Sequence, residues 1–354
     1  MSMGTPANGE TLAARALWLT APRRAELRDE AVPPPAVGEV RVRALASGIS
    51  QGTELLVYRG QVPPDLPLDL PTLAGSFAFP IKYGYASVGR VLDVGPGVTA
   101  LAPGDLVFTH HPHQSAYVVP EALPVRLPPS LERDPALGDF FANVETALNV
   151  LLDTPLRLGE SAVVFGAGTV GLLIAQLLRR AGAGHVAVVD PLLARRERAL
   201  AVGADAALAP GDDLAERLAG HTGGRMPDVV IEASGAPNAL QAAIDVVADE
   251  GTVVAVSWYG TKPVTLALGG HFHRGRVRLR SSQVGQLDPA LAPRWDRARR
   301  AEVALGLLPR LRLEPLISHR IPFARAAEAY RLLDERPSEA GQVVLMYDDE
   351  GREG

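Results

Sequence analysis

The sequence contains no cysteine, and this absence removes several kinds of chemistry. Disulfide bridges, thiol nucleophiles and four-thiolate zinc sites all need cysteine. The chain of 354 residues also lacks an apolar run of roughly 18 residues, the length that a membrane-spanning helix needs. Its first residues lack the basic and apolar regions of a signal peptide. We therefore expect a cytoplasmic protein with no membrane partner.

An excess of positive charge is absent as well. The formal net charge of -5 gives no general electrostatic footprint for nucleic acid. A hydrophobic content of 47% is ample for buried cores, and the length suggests about two domains. The composition is typical of a soluble globular protein.

Strand-like and helix-like patterns divide the chain in two. Up to residue 142, short strand-like runs such as 39–44 and 89–94 alternate with proline- and glycine-rich turns. From 143 to 286, apolar strands alternate with helical segments, which predicts an α/β domain with helices on both faces of a parallel sheet. Residues 287–354 contain two amphipathic helices and a last strand, and we expect them to return to the first domain. The strands of the second domain are predicted at 162–165, 186–190, 228–232, 252–257 and 276–280.

A glycine-rich turn is the most informative feature of the second domain. An apolar strand turns through Gly166, Gly168 and Gly171 into an apolar helix, with the spacing of a dinucleotide-binding fingerprint. The first glycine permits the tight turn, the second lets the backbone approach a pyrophosphate, and the third allows close helix–sheet packing. Thr169 and Val170 begin the helix, whose N-terminus supplies donors to phosphate.

An acidic residue follows at the expected distance. Asp190 ends the next strand, nineteen residues after Gly171 (190 minus 171), where an acceptor for the adenosine ribose hydroxyls is required. This favours NAD over NADP. Arg195 and Arg196 lie just beyond it, either to accommodate a 2′-phosphate or as solvated helix residues.

With this domain placed after a β domain that contains 84–91 and 104–107, the chain resembles the medium-chain dehydrogenase/reductase superfamily over nearly its whole length. The resemblance implies a GroES-like, mainly β catalytic domain over 1–142, completed by 287–354, and a Rossmann doubly wound sheet over 143–286. Five motifs are similar to a zinc-lacking branch that includes bacteriochlorophyllide-type dehydrogenases: 47–54, 82–85, 111–114, 142–149 and 281–285.

The zinc-ligand positions of the superfamily hold other residues here. Gln51 replaces the cysteine of the first ligand motif, Tyr85 replaces the histidine of the second, and the third position falls near Ala142. An amide, a phenol and a methyl group do not make a catalytic zinc site. We predict no zinc, and we do not expect the loop histidines at 110, 111 and 113 to restore a metal site.

Hydride chemistry without a metal needs donors for the developing alkoxide and a path for the proton. Tyr85 is the first candidate as acid or oxyanion donor, and the alternative is a core tyrosine. Thr53 matches the hydroxyl that relays a proton in zinc members. His111 or His113 lies where the superfamily lines its substrate pocket, although loop histidines are often exposed or structural.

Further cofactor contacts follow from the resemblance. Thr146 matches a threonine beside the nicotinamide, and the backbone of Ser281, Ser282 and Gln283 matches the segment that meets the carboxamide. Two serines lie at strand ends on the carboxyl edge of the sheet, where doubly wound folds bind ligands, or they simply belong to turns. These serines are Ser234 and Ser257.

Alternate arginines mark the predicted strand at 276–280. Arg276, Arg278 and Arg280 suit an anionic substrate, and equally a solvated face or a subunit contact, which we favour. No aromatic residues interleave with them, so we expect no nucleic-acid partner.

Taken together, these residues predict a zinc-independent oxidoreductase that transfers a hydride between NAD(H) and a secondary alcohol or ketone. The substrate is a small molecule, and the resemblance implies a homodimer. Two rivals stay open. One is an NADPH-dependent enoyl or quinone reductase, and the other is a non-catalytic NAD(H)-binding protein.

Overall fold

Two compact units make up the chain in the computed structural model, which describes residues 10–68, 72–73 and 75–347. Of these residues, the first unit takes those up to Ala142 and from Ile317 onward, and the second unit takes Asn143–Leu316. Among the described residues, no helix is both long enough and apolar enough to cross a bilayer.

The strands and helices of the described residues are numbered separately, each in chain order. The strands are β1 (Leu12–Ala21), β2 (Arg24–Val32), β3 (Glu39–Ile49), β4 (Ser87–Val94), β5 (Leu106–Thr109), β6 (Ala116–Pro120), β7 (Val125–Arg126), β8 (Ser161–Phe165), β9 (His185–Val189), β10 (Ala206–Leu208), β11 (Val229–Glu232), β12 (Thr252–Ala255), β13 (Arg278–Ser281), β14 (Ile317–Pro322) and β15 (Gln342–Met346). The α-helices are α1 (Thr53–Tyr58), α2 (Phe141–Asp153), α3 (Thr169–Arg180), α4 (Leu193–Ala201), α5 (Leu214–His221), α6 (Pro237–Val246), α7 (His271–Arg274), α8 (Arg297–Leu307) and α9 (Ala326–Glu335). Short 3₁₀ helices span Pro129–Arg133, Pro135–Phe140, Pro289–Leu291, Leu308–Arg310, Glu314–Leu316 and Phe323–Arg325.

The first unit is mainly β. Its described strands form a sheet in the order β14-β15-β3-β4-β5-β7, with β6 paired to β3 and with β1 and β2 as a separate antiparallel pair. The chain end returns into this sheet, because β15 pairs antiparallel with β3. A core cluster that includes Ile49, Leu55, Tyr330 and Val343 joins α1 and α9 to the sheet. Packing of this kind places α1, and with it Thr53, at the end of β3.

The second unit is a doubly wound α/β domain, as predicted. Its described strands are all parallel and run in the order β10-β9-β8-β11-β12-β13. The strand order therefore reverses between β8 and β11. In open α/β sheets the crevice for a ligand lies at the carboxyl ends of the strands beside such a reversal.

Three details differ from the sequence-based expectation. The short strand β10 was not anticipated, since a run of only three residues gives little periodic signal. Strand β13 begins at Arg278, so Arg276 lies outside it with φ +52°. The second unit also extends beyond residue 286, as far as Leu316, because Arg300 and Arg312 hydrogen-bond to side chains of α2 and α3.

Candidate functional site

The glycine turn lies where β8 passes into α3, beside the strand reversal. Gly166 has φ +99°, and a Cβ atom there would lie 2.8 Å from the carbonyl carbon of Ala233 in the loop after β11. At Gly171 a Cβ atom would lie 1.9 Å from the carbonyl oxygen of Gly166. These two glycines are therefore required by the packing of the protein itself.

Gly168 is different from the other two. Its φ of -75° and ψ of 177° suit any residue, and a Cβ atom there would meet nothing within 4 Å. It caps α3 without a side chain, and Thr169 and Val170, which follow it, are only half-buried. The structure thus leaves open space at the N-terminus of α3, where N–H groups and the helix dipole favour an anion.

Asp190 directly follows β9 and is buried. Its carboxylate accepts hydrogen bonds from the backbone N–H groups of Ala167 and Leu192, each at 2.9 Å. The hydrogen bond from Ala167 links the carboxylate to the glycine turn, since Ala167 lies between Gly166 and Gly168. Arg195 lies 3.9 Å from the same carboxylate, whereas Arg196 donates to the backbone carbonyls of Asp190 and Pro191. A carboxylate retains further acceptor capacity after two hydrogen bonds.

The loops after β11 and β12 are tied together by Glu232. This fully buried carboxylate accepts from the N–H and hydroxyl of Ser234, at 2.7 and 2.6 Å, and from the hydroxyl of Tyr259 at 2.5 Å. Ser257 accepts from the N–H of Gly235 at 2.8 Å. Burial and the adjacent Glu232 raise the pKa of Tyr259, so this phenol remains a donor.

The predicted carboxamide segment follows β13. Ser281 and Gln283 are exposed, whereas Ser282 is buried and its hydroxyl donates to Asp153 at 2.6 Å. Thr146 is half-buried on α2. The structure therefore places Thr146 and the three-residue segment in the second unit, together with the glycine turn.

In the first unit, Tyr85 lies near α1. Burial and the charge of Glu54 raise the pKa of Tyr85 to about 12, although hydrogen bonds with the Ser50 and Thr53 hydroxyls oppose this shift. The Tyr85 side chain is only half-buried. The phenol is consequently protonated at neutral pH and is hydrogen-bonded to two hydroxyl groups.

A buried polar network lies behind this group of hydroxyls. Glu54 is fully buried and accepts from the Ser50 N–H at 2.9 Å, from His113 Nε2 at 2.9 Å and from the Tyr330 hydroxyl at 2.5 Å. His113 Nδ1 lies 2.7 Å from the Ser47 hydroxyl. These partners assign the Nε2–H tautomer to His113, since a carboxylate only accepts hydrogen bonds.

His111 lies outside that network. Its ring stacks on Tyr117 with centroids 3.7 Å apart, and its Nδ1 lies 2.9 Å from the carbonyl oxygen of Pro112. Burial lowers the pKa of His111 to about 3, against the backbone hydrogen bond, which raises it. An imidazole with this pKa is neutral and only weakly basic near pH 7, and its ring is held by Tyr117 and Pro112, so these observations do not support proton transfer by His111.

Gln51, Tyr85 and Ala142 stand at the three positions predicted to correspond to zinc ligands. The Gln51 side-chain amide donates to the carbonyl oxygens of Ala340 and Gly341. Tyr85 bonds to hydroxyl groups, and Ala142 offers no donor atom. The part of the chain that the structure describes contains no group of three or more His, Asp or Glu residues that could hold a metal ion.

The arginines around β13 have carboxylate partners. Arg276 and Arg278 pair with Glu250 at 2.5 and 3.2 Å. Arg280 pairs with Asp153 at 2.7 Å and with Asp288 at 3.0 Å. This pairing weakens the case for an anionic substrate at these arginines.

Comparison with known proteins identifies the family. A family model described as a zinc-binding dehydrogenase matches residues 169–298. The sequence is 29% identical to the D-guloside 3-dehydrogenase of Escherichia coli strain K12, over 94% of this chain and 99% of the relative. It is 30% identical to the 2-desacetyl-2-hydroxyethyl bacteriochlorophyllide A dehydrogenase of Cereibacter sphaeroides, over 89% of this chain and 92% of the relative. The chain belongs to the zinc-binding dehydrogenase family. It is therefore an oxidoreductase, and the superfamily resemblance is confirmed.

A solved structure supports the fold. The chain matches a short chain alcohol dehydrogenase of E. coli CFT073, complexed with cofactor NADH, with a TM-score of 0.77 and 21% identity. The match covers 94% of this chain and 99% of that chain. The α/β assignment, with a GroES-like first unit and a Rossmann second unit, is thus confirmed.

Several polar residues of this family member were not anticipated from the sequence. Ser47 and Tyr330 complete the Glu54–His113 network, and Arg300 donates to α2 from a buried position. The signal for Tyr330 was weak, because a tyrosine on an amphipathic helix is usually a core residue. The spacing of Glu145, Asn149 and Asp153 at every fourth position on one helix was a usable signal for a polar stripe.

Proposed function

We propose that the protein interconverts a secondary alcohol and a ketone with NAD(H) and without a catalytic zinc. The observation that supports this most directly is the Tyr85 phenol, which stands at a predicted zinc-ligand position and is kept neutral by burial and by the charge of Glu54, beside the hydroxyls of Ser50 and Thr53. The relatives support an alcohol as the substrate class, since one is named for a guloside and another for a hydroxyethyl-bearing bacteriochlorophyllide.

The second unit fits a dinucleotide. A Cβ atom at Gly168 would meet no atom within 4 Å, which is consistent with room for a pyrophosphate at the N-terminus of α3. Asp190 would accept hydrogen bonds from the hydroxyls of the adenosine ribose. The nicotinamide half of the dinucleotide would be held by Ser234, Ser257 and the segment after β13. When bound, the nicotinamide supplies or takes up the hydride.

NAD is favoured over NADP by the buried carboxylate of Asp190. A 2′-phosphate placed beside it would face a like charge, and Arg195 at 3.9 Å from that carboxylate only partly offsets this repulsion. We therefore expect NADH to bind more tightly than NADPH.

The residues do not fit a catalytic zinc. Such a site needs about three N, O or S ligands from the protein, and here an amide, a phenol and a methyl group occupy the three positions. The amide of Gln51 is committed to the carbonyls of Ala340 and Gly341. We infer that the donor phenol replaces the electrostatic role that a metal ion has elsewhere.

Tyr85 performs that role in the proposal. During ketone reduction negative charge develops on the carbonyl oxygen, and a preorganised donor stabilises it. A phenol with a pKa of about 12 keeps its proton until an alkoxide, which is more basic, forms beside it. Tyr85 then transfers that proton to the alkoxide, and in alcohol oxidation it takes the alcohol's proton while passing its own to the neighbouring hydroxyls.

A proton from solvent returns to the Tyr85 phenolate through the neighbouring hydroxyls. Thr53 and Ser50 hydrogen-bond to Tyr85 and are the nearest carriers. Glu54 accepts from the Ser50 N–H, while His113 and Tyr330 hold Glu54 in place. In this scheme His113 positions Glu54 and does not contact the substrate.

The test is ketone reduction by chelator-treated protein, followed by the loss of NADH absorbance. Tyr85→Phe is expected to lower kcat/KM by about 10²-fold, since this is the usual effect of removing one oxyanion donor. Tyr83→Phe is the control, because it removes a phenol hydroxyl from another tyrosine only two residues away, although Tyr83 is more deeply buried.

Three outcomes would contradict the proposal. Unchanged turnover in Tyr85→Phe would show that Tyr85 does not donate the proton. Loss of wild-type activity on chelation, restored by zinc, would overturn zinc independence. Turnover of enoyl thioesters or quinones with NADPH, but not of ketones with NADH, would assign the rival reductase chemistry.

A further inference from the structure

A buried polar stripe runs along one face of α2. Glu145, Asn149 and Asp153 are spaced by four residues and lie on one face, and all three are buried. Burying two carboxylates and an amide is costly unless each has partners. The stripe must therefore be matched by donors from elsewhere in the second unit.

Two arginines supply those donors. Arg300 of α8, itself buried, donates to Asn149 Oδ1 at 2.8 Å and lies 3.4 Å from Glu145. Arg280 of β13 donates to Asp153 at 2.7 Å. Asp153 also accepts from the Asn149 amide at 3.1 Å. The result is one connected network within the second unit.

The same network holds the backbone that follows β13. Asn149 Nδ2 lies 3.3 Å from the carbonyl oxygen of Gln283, and Arg300 donates to the carbonyl oxygen of Val284 at 2.6 Å. Arg297 donates to the next carbonyl, that of Gly285, at 2.6 Å. Three consecutive carbonyls are thus each held by a side-chain donor.

Holding the carbonyls also fixes the N–H groups. In a trans peptide the C=O and the following N–H point in opposite directions. The peptides that begin at Gln283 and Val284 therefore direct the N–H groups of Val284 and Gly285 away from their side-chain donors. Among the described residues these two N–H groups have no acceptor, so they are available to a ligand.

The position of this segment indicates which ligand it meets. A doubly wound sheet binds a dinucleotide with one mononucleotide on each half. Asp190 follows β9 and marks the half for the adenosine, so the strands β11 to β13 form the half for the nicotinamide mononucleotide. The segment 282–285 directly follows β13, at the carboxyl edge of that half.

We propose that Arg300 is a positioning residue for the nicotinamide half of the dinucleotide. Together with the polar stripe of α2, it fixes the N–H groups after β13 in the orientation that accepts a carboxamide. This inference rests on the proposed NAD(H) site. It predicts that disrupting Arg300 weakens nicotinamide recognition and leaves recognition of the adenosine half intact.

The experiment compares dissociation constants for NADH and for ADP-ribose, which lacks the nicotinamide. In Arg300→Met we expect the Kd for NADH to rise about tenfold, a factor typical of losing one charged hydrogen bond, while the Kd for ADP-ribose changes less than about twofold. Arg299→Met is the matched control, because Arg299 is an exposed neighbour on α8 and should leave both values unchanged. Arg300→Lys keeps the charge and is expected to recover part of the loss.

The outcomes separate this inference from the proposed function. A selective loss of NADH affinity supports the positioning role. An equal loss for both ligands, or no loss, overturns it while the nucleotide site stands. A wild-type protein that binds neither ligand overturns the proposed function and this inference with it. If Arg300→Met does not fold, the same comparison in Arg300→Lys decides the question.

Discussion

The Gly168→Ala variant tests whether Gly168 is needed for the stability of the fold or for binding a ligand. In the protein alone the new methyl group meets no atom within 4 Å, and the backbone angles are ordinary. Reduced freedom of the unfolded chain stabilises such a variant by about 0.4–1 kcal/mol. Alanine is a poorer N-cap than glycine, and this difference destabilises the variant by about the same amount. We therefore expect the free energy of unfolding to change by less than about 1 kcal/mol.

Binding is expected to change much more. The methyl group would occupy the space left for the pyrophosphate, and overpacking of this kind costs about 1–3 kcal/mol. That range corresponds to a rise in the Kd for NADH of about 5-fold to 150-fold. Titration followed by NADH fluorescence gives the Kd, and urea unfolding gives the stability.

Two other glycines provide the comparison. Gly171→Ala would place a methyl group 1.9 Å from a backbone carbonyl oxygen, so it should lower both stability and affinity. Gly220→Ala lies in α5 with open space around the new methyl group and should leave NADH binding unchanged. A Gly168→Ala protein that binds NADH like the wild type would refute the assignment of this space to the pyrophosphate.

The remaining predictions concern the first unit. Tyr330→Phe removes a donor from the buried Glu54 carboxylate and should lower the free energy of unfolding by about 1.5–3 kcal/mol; an unchanged urea midpoint would show that Glu54 does not depend on this bond. His111 has a pKa of about 3 in the folded protein against 6.5 when unfolded, so its contribution to stability is present above pH 6.5 and is lost as the pH falls toward 3. Between pH 6.5 and 4.5 the wild type should lose up to about 1.4 kcal/mol per pH unit more than His111→Phe, and parallel urea-midpoint curves would contradict this.

Local patterns predicted the second unit well. The strand alternation and the three glycines predicted the parallel sheet, its class and the tight turn from β8 into α3. The return of the chain to the first unit was expected at 287 and is found at Ile317, because hydrogen bonds from α8 and from Arg312 are long-range contacts without a local signature. The strand β10 was too short to leave a periodic pattern.

The polar network of the first unit was only partly foreseeable. Tyr85 and Thr53 were expected to act together, and the structure gives them a hydrogen bond. The two loop histidines are separated by only one residue, yet His113 is bound to Glu54 while His111 stacks on Tyr117. Neighbours in a loop meet different environments, so sequence position alone does not assign their chemistry.

The sequence by itself determined the family and the doubly wound domain, because these depend on residue type and on short, fixed spacings. The tertiary structure decided which polar groups are buried together. Tyr330 contacts Glu54 across 276 residues, and Arg300 contacts Asn149 across 151 residues. Such pairings depend on how distant elements pack and on the requirement that every buried charge finds a partner, and no local pattern records them.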